Sequence, residues 1–146
     1  MTRPDRVLLI LVVAVAVVAA VAGVLAAVRP VAEYDRATPE GVVQAYLGAV
    51  VDGDHDEAVR LLADGSRCTV VDLDRAYVPD GVRVVLRDAR VTGDGARVQV
   101  DVARSSAGPF DGSEYVEEHT FRLTRTGTGW RVAGEPWPMY GCGGEG

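Results

Sequence analysis

The feature that most constrains this chain is an unbroken apolar run near its start. Val7 to Val28 is 22 residues long and holds nine Val, seven Ala, four Leu, Ile10 and Gly23, with no charged or polar side chain. As a helix rising about 1.5 Å per residue it spans roughly 33 Å, enough to cross a hydrocarbon core about 30 Å thick. A core helix of a soluble domain is shorter and keeps a polar face, so the run reads as a transmembrane helix. The competing reading is a cleaved secretory leader. Leader cores typically run about 7–15 residues, and here Arg29-Pro30 interrupts the exit, leaving no small-x-small cleavage site. No Cys stands just behind the run to carry a lipid. An uncleaved signal anchor is the expectation: residues 1–6 as a short N-terminal segment, 7–28 in the membrane, 29–37 as a linker and 38–146 as one domain.

Orientation follows from the flanks. Arg3 and Arg6 precede the run, while Arg29 and Arg36 follow it among Glu33 and Asp35. Acidic residues count little in the positive-inside rule, so the bias toward a cytoplasmic N-terminus is small. The six residues before the run leave no room there for a domain. The long remainder carries both cysteines, which suits an oxidising compartment. A single-pass cell-membrane protein with an extracytoplasmic domain is therefore expected.

Charge then excludes a class of partners. Beyond residue 28 lie 20 of the 21 acidic residues and 13 of the 15 arginines, a balance of −7. Nucleic acid and anionic membrane surfaces demand a basic face, so neither is expected as a ligand. The chain has no Lys, and its Arg, Val, Ala, Gly and Asp content matches the codon usage of a high-GC bacterium. A Gram-positive actinobacterium is the expected kind of source.

Past the linker the hydrophobic period is first helical, then two. Thr38-Pro39-Glu40 is a helix start: an N-cap, a proline at the first position and an acid on the N-terminal dipole. Val42, Val43, Tyr46, Leu47, Val50 and Val51 form one stripe, and Gly53 ends it. Asp54 caps a second helix with Glu57 three residues on, and Asp64-Gly65 stops it. Cys68 to Leu73 reads as a short strand. Strands follow at about 82–91, around Val98, Val100 and Val102, at Tyr115–Thr124 and at Trp130–Ala133. Gly93-Asp94-Gly95 and Gly127-Thr128-Gly129 are tight turns, and residues 105–113 form a loop. The predicted fold class is α+β: an N-terminal transmembrane helix, then two helices packed on a curved antiparallel sheet of about four to five strands.

Three stretches carry a resemblance. They are Thr38-Pro39-Glu40-Gly41-Val42-Val43-Gln44-Ala45-Tyr46-Leu47, the Val51-Asp52-Gly53-Asp54 step with Glu57-Ala58-Val59-Arg60-Leu61-Leu62, and Gly129-Trp130-Arg131-Val132. In order and spacing they resemble the first helix, second helix and closing strand of the nuclear-transport-factor-2-like, cystatin-like cone superfamily. The match covers residues 38–134, about two thirds of the chain. The resemblance implies helices closing a cone-shaped sheet whose mouth holds any ligand or catalytic group. Bacterial members with membrane anchors include small actinobacterial proteins, Mce-associated membrane proteins and scaffold proteins of type IV secretion systems. The same fold hosts ketosteroid isomerase and scytalone dehydratase, so it does not settle function. Two features depart from the pattern. Pro136-Trp137-Pro138-Met139-Tyr140-Gly141-Cys142 extends past the usual final strand. No polar set matches the isomerase or dehydratase active sites residue by residue.

Few residues are candidates for chemistry. Cys68 and Cys142 are the only cysteines and are expected to form one disulfide, with free thiols or an intermolecular bond as the alternatives. Alternation along the third long strand puts Tyr115, Glu117, His119, Phe121 and Leu123 on one face. If Phe121 and Leu123 face the core, Glu117 and His119 point to the mouth, as an acid–base pair or as a solvated rim. Glu117 and His119 are the candidates on this strand, and no cofactor and no metal is expected. His55 and the loose acidic group Asp72, Asp74 and Asp80 read as solvated surface. Arg83, Arg87, Arg97 and Arg122 are expected to pair with acids across the outer sheet face. Trp130 reads as core; Trp137, Met139 and Tyr140 read as core cover or as a rim for a partner. The leading functional reading is a membrane-anchored binding or scaffold domain in the cell envelope. Its partners would be envelope proteins or a second copy through the sheet. The rival reading is a small isomerase- or dehydratase-like enzyme using Glu117, His119 or Asp72.

Overall fold

The computed structural model describes residues 3–27, 33–105 and 114–143. The chain divides into two units, Met1–Glu33 and Tyr34–Gly146. The first contains helix α1 (Arg3–Ala27). Its stretch Arg6–Val24 has a mean hydropathy of 3.2 and none of it is buried, so it is long and apolar enough to cross a membrane.

The second unit is α+β, with element order α2 (Pro39–Asp52), α3 (His55–Arg60), α4 (Val70–Arg75), β1 (Arg83–Thr92), β2 (Gly95–Ser105), β3 (Glu114–Thr126) and β4 (Gly129–Ala133). The four strands form one antiparallel sheet in the order β1-β2-β3-β4. This is the predicted fold class, at the lower of the two strand counts. The predicted loop at 105–113 falls, after Ser105, outside the described residues.

Helix α2 starts as its sequence dictates. The Thr38 hydroxyl accepts from the Gly41 N–H at 3.2 Å and donates to the Asp35 carbonyl at 2.7 Å. Gly53, at φ 74°, ends it in the left-handed conformation that glycine adopts without cost. Its stripe Val42, Val43, Tyr46, Leu47 and Val50 is buried, whereas Val51, read as part of that stripe, is 46% exposed.

Two predicted elements, a helix end and a strand, need correction. The second helix stops at Arg60, short of Asp64-Gly65. Leu61 and Ala63 instead bond across to Val132: the Val132 N–H donates to the Leu61 carbonyl at 2.9 Å, and the Ala63 N–H to the Val132 carbonyl at 2.8 Å. The free edge of β4 thus draws the chain out of the helix. The stretch read as a strand from Cys68 to Leu73 is helix α4 from Val70. Asp72 accepts from both the N–H and the hydroxyl of Thr69, at 2.7 and 2.8 Å. This N-terminal cap outweighs the β-propensity of Val70 and Val71.

In the sheet, Val98, Val100 and Val102 all point inward and are buried. A bulge between Leu86 and Asp88 shifts the register of β1, which simple alternation does not reveal. The β1–β2 hairpin turns on Gly93-Asp94, with Gly93 at φ 59°. The core between the helices and the inner face contains Tyr46, Leu73, Val98, Val100, Phe121, Trp130, Val132 and Met139. Tyr46 packs edge-on against Phe121 at 5.9 Å between centroids.

Candidate functional site

The inner face of β2 and β3 changes character along its length. Facing pairs run Ala96–Leu123, Val98–Phe121, Val100–His119, Val102–Glu117 and Arg104–Tyr115. The first two pairs lie in the core. The last three bring His119, Glu117 and Arg104 to the polar end, so the mouth is built from alternate residues of two adjacent strands.

Three ionisable groups meet there. The Glu117 carboxylate lies 3.2 Å from Arg104 Nη2 and 3.9 Å from His119 Nε2. The Arg104 guanidinium sits over the Tyr115 ring at 4.9 Å, a cation–π contact. The C-terminal tail closes the other side. The Trp137 ring lies 5.8 Å from the imidazole of His119, and the Tyr140 hydroxyl is 3.4 Å from Nδ1. Arg104 Nε and His119 Nε2 are buried and lack a hydrogen-bond partner among the described residues.

Burial under the tail lowers the pKa of His119. The Glu117 charge opposes that shift and the Arg104 charge adds to it. Burial therefore favours the neutral imidazole. Burial, with Glu117 nearby, raises the Tyr140 phenol. A neutral imidazole beside a carboxylate is chemically able to act as a base, but 3.9 Å exceeds hydrogen-bond reach.

The tail is fixed at several points. Cys68 and Cys142 are joined in a disulfide across 74 residues. The buried Tyr46 hydroxyl donates to the Trp137 carbonyl at 3.1 Å, and its pKa is raised by burial. Glu135 accepts from the Gly141 N–H at 2.9 Å. Trp137 and Met139 are thereby buried as core cover, while Tyr140 is 71% exposed. A cleft of about 280 Å³ runs between α4 and the tail, lined by Asp72, Arg75, Met139 and Tyr140 among others.

The other sequence candidates scatter. Asp72 serves the α4 cap, and its hydrogen bonds to Thr69 lower its pKa. His55, read as solvated, is mostly covered and contacts Asp74 at 2.5 Å. Asp80 is exposed. No group of three potential metal ligands occurs among the described residues. Arg83 pairs with Glu114, and Arg87 pairs with Asp101. Among the described residues Arg97 and Arg122 do not make the expected pairs: the register sets them opposite each other. Sequence reasoning placed Glu117 and His119 together but missed Arg104, which continues the inward alternation of Val98, Val100 and Val102. It also missed the contact of the tail with His119, for which no local pattern exists.

No protein-family model matches the chain, and no curated protein matches it. Solved structures do. One is a SEC-C motif containing protein from Rhodopseudomonas palustris, at 14% identity over 69% of this chain and 79% of that one, with a TM-score of 0.54. Another is a ketosteroid isomerase-like protein from Erwinia carotovora atroseptica, at 16% identity over 64% of this chain and 86% of that one, with a TM-score of 0.47. At such identity the likeness to the first concerns the fold alone.

Proposed function

We propose that this chain is a single-pass, membrane-anchored member of the nuclear-transport-factor-2-like superfamily whose domain binds or scaffolds partners outside the cytoplasm of a bacterial, actinobacterial cell. The observation that carries this reading is a disulfide-closed domain, Cys68 to Cys142, following an apolar helix of spanning length. The order of helices and strands supports the superfamily, together with the three resembling stretches. Partner proteins of the envelope come first as ligands and a small apolar molecule second. The mouth formed by Arg104, Glu117, His119 and Tyr140 is the polar feature such a ligand would meet.

A second reading, a small enzyme of the isomerase or dehydratase type, draws on His119, its neutral form favoured by burial, beside Glu117. The apolar filling of the inner face and the Trp137 ring against His119 count against it. Fractionation of cells expressing the intact chain, with thiol alkylation before lysis, tests the leading reading. The expected result is an uncleaved polypeptide in the carbonate-washed membrane, with both cysteines protected from alkylation until reduced. Recovery from the cytosol with two alkylated thiols overturns it.

A further inference from the structure

The C-terminal tail does more than cover the core. Against α4 it walls the cleft of about 280 Å³, whose lining includes Asp72, Arg75, Pro138, Met139 and Tyr140. None of the mouth residues Arg104, Glu117 and His119 lines it. The disulfide at Cys142 pins the tail there, so the wall is in place before any ligand arrives. The volume lies just below the about 300–1,000 Å³ of pockets for drug-sized molecules. At roughly 30 Å³ each it corresponds to about nine waters, so the cleft suits a molecule of amino-acid size. Its charges are of both signs. Asp72 and Arg75 stand three residues apart on α4, a spacing that puts side chains on one face. Asp72 Oδ2 accepts both Thr69 hydrogen bonds, and Oδ1 accepts none among the described residues. Arg75 is exposed and makes no ion pair among the described residues. Beside these charges Pro138 and Met139 are buried and apolar, and Tyr140 is exposed.

We infer that this cleft binds a free α-amino acid with an apolar side chain. Its carboxylate accepts from the Arg75 guanidinium and its ammonium donates to Asp72 Oδ1, both charge-assisted hydrogen bonds. Its side chain lies against Pro138, Met139 and the Tyr140 ring. The paired charges decide the class of ligand. A simple anion meets Arg75 but is repelled by Asp72, and a simple cation meets the reverse. A molecule with one charge of each sign satisfies both. A residue inside a peptide carries neither backbone charge and a chain end carries one, so the free molecule is selected. Tyr140 is the one residue that the cleft shares with the mouth, and the inference does not rest on the binding reading above.

The test uses the full chain in detergent micelles with isotope-labelled methionine methyl groups. The chain has two methionines, Met1 and Met139, so the Met139 methyl resonance reports occupancy of the cleft directly. The probe is L-leucine, with two relatives that each lack one charge: 4-methylpentanoate has no ammonium and 3-methylbutylamine no carboxylate. Leucine should shift the Met139 resonance with a dissociation constant of about 1 mM or below, and each relative should bind about tenfold more weakly. R75Q should weaken leucine about tenfold and leave 3-methylbutylamine unchanged. D72N should weaken leucine by a similar factor and leave 4-methylpentanoate no weaker. Asp72 also serves the α4 cap, so if D72N melts early the exposed R75Q decides alone. A Met139 resonance unmoved by leucine at about 10 mM overturns the inference. So does equal affinity for the three probes, or leucine binding that R75Q leaves unaltered.

Discussion

Replacing Cys68 and Cys142 together by Ser removes the covalent link that closes a loop of 74 residues. In the chain-entropy model, losing a crosslink of that span frees the unfolded chain by about 15 cal/mol/K, or about 4 kcal/mol at 25 °C. A domain of this size is stable by roughly 5–15 kcal/mol, so the loss is a large share of the total. It converts to a fall in melting temperature of about 15 °C or more. The structure adds a local consequence. Without the link, Trp137 and Met139 are held by the Tyr46 hydrogen bond and by burial alone. The assay is thermal unfolding of the full chain in micelles, followed by near-UV circular dichroism and tryptophan fluorescence. Wild type with and without a phosphine reductant should reproduce the difference between wild type and the double Ser variant. A shift of no more than about 3 °C in both comparisons would refute the entropy argument.

Gly41→Ala places a methyl about 2.0 Å from the Asp35 carbonyl oxygen, and the backbone shift this forces should destabilise by about 2–3 kcal/mol in chemical denaturation. Tyr46→Phe leaves the Trp137 carbonyl without its 3.1 Å donor and should destabilise by about 1–2 kcal/mol, with the Trp137 emission shifted to the red. The His119 pKa lies below its ordinary value in the fold because burial disfavours the cation. The unfolded chain therefore binds that proton first, and stability should fall as pH drops below about 6.5, until the folded imidazole also titrates. Urea titrations from pH 8 to pH 5 should show that slope in wild type and a flatter one in His119→Gln; identical slopes would remove burial of His119 as the cause.

Local chemistry made much of this fold readable in advance. The apolar run, the Thr38-Pro39-Glu40 start, the Gly53 stop and the alternation of Val98, Val100 and Val102 each act within one or two turns of chain, where sequence speaks directly. With only two cysteines, a single bridge within one copy was also legible. The candidate site was legible by half. Phe121 and Leu123, as core residues, place Glu117 and His119 on the inner face. Two local signals misled, because competing interactions lay outside the pattern that was read. The Thr69–Asp72 cap turned a β-rich run into α4, and the edge of β4 cut α3 short at Arg60.

What the sequence determined alone was the apolar span, helix α2, the four strands of the sheet and their tight turns, because periodicity and capping are short-range effects. Tertiary structure alone decided who meets whom. The bulge at Leu86/Asp88 and the strand register place Arg97 against Arg122 rather than against an acid. The folded-back tail brings Trp137 and Tyr140 onto His119, whose burial lowers its pKa. Both outcomes depend on distances between residues far apart in the chain, which close only once the sheet and the core have formed.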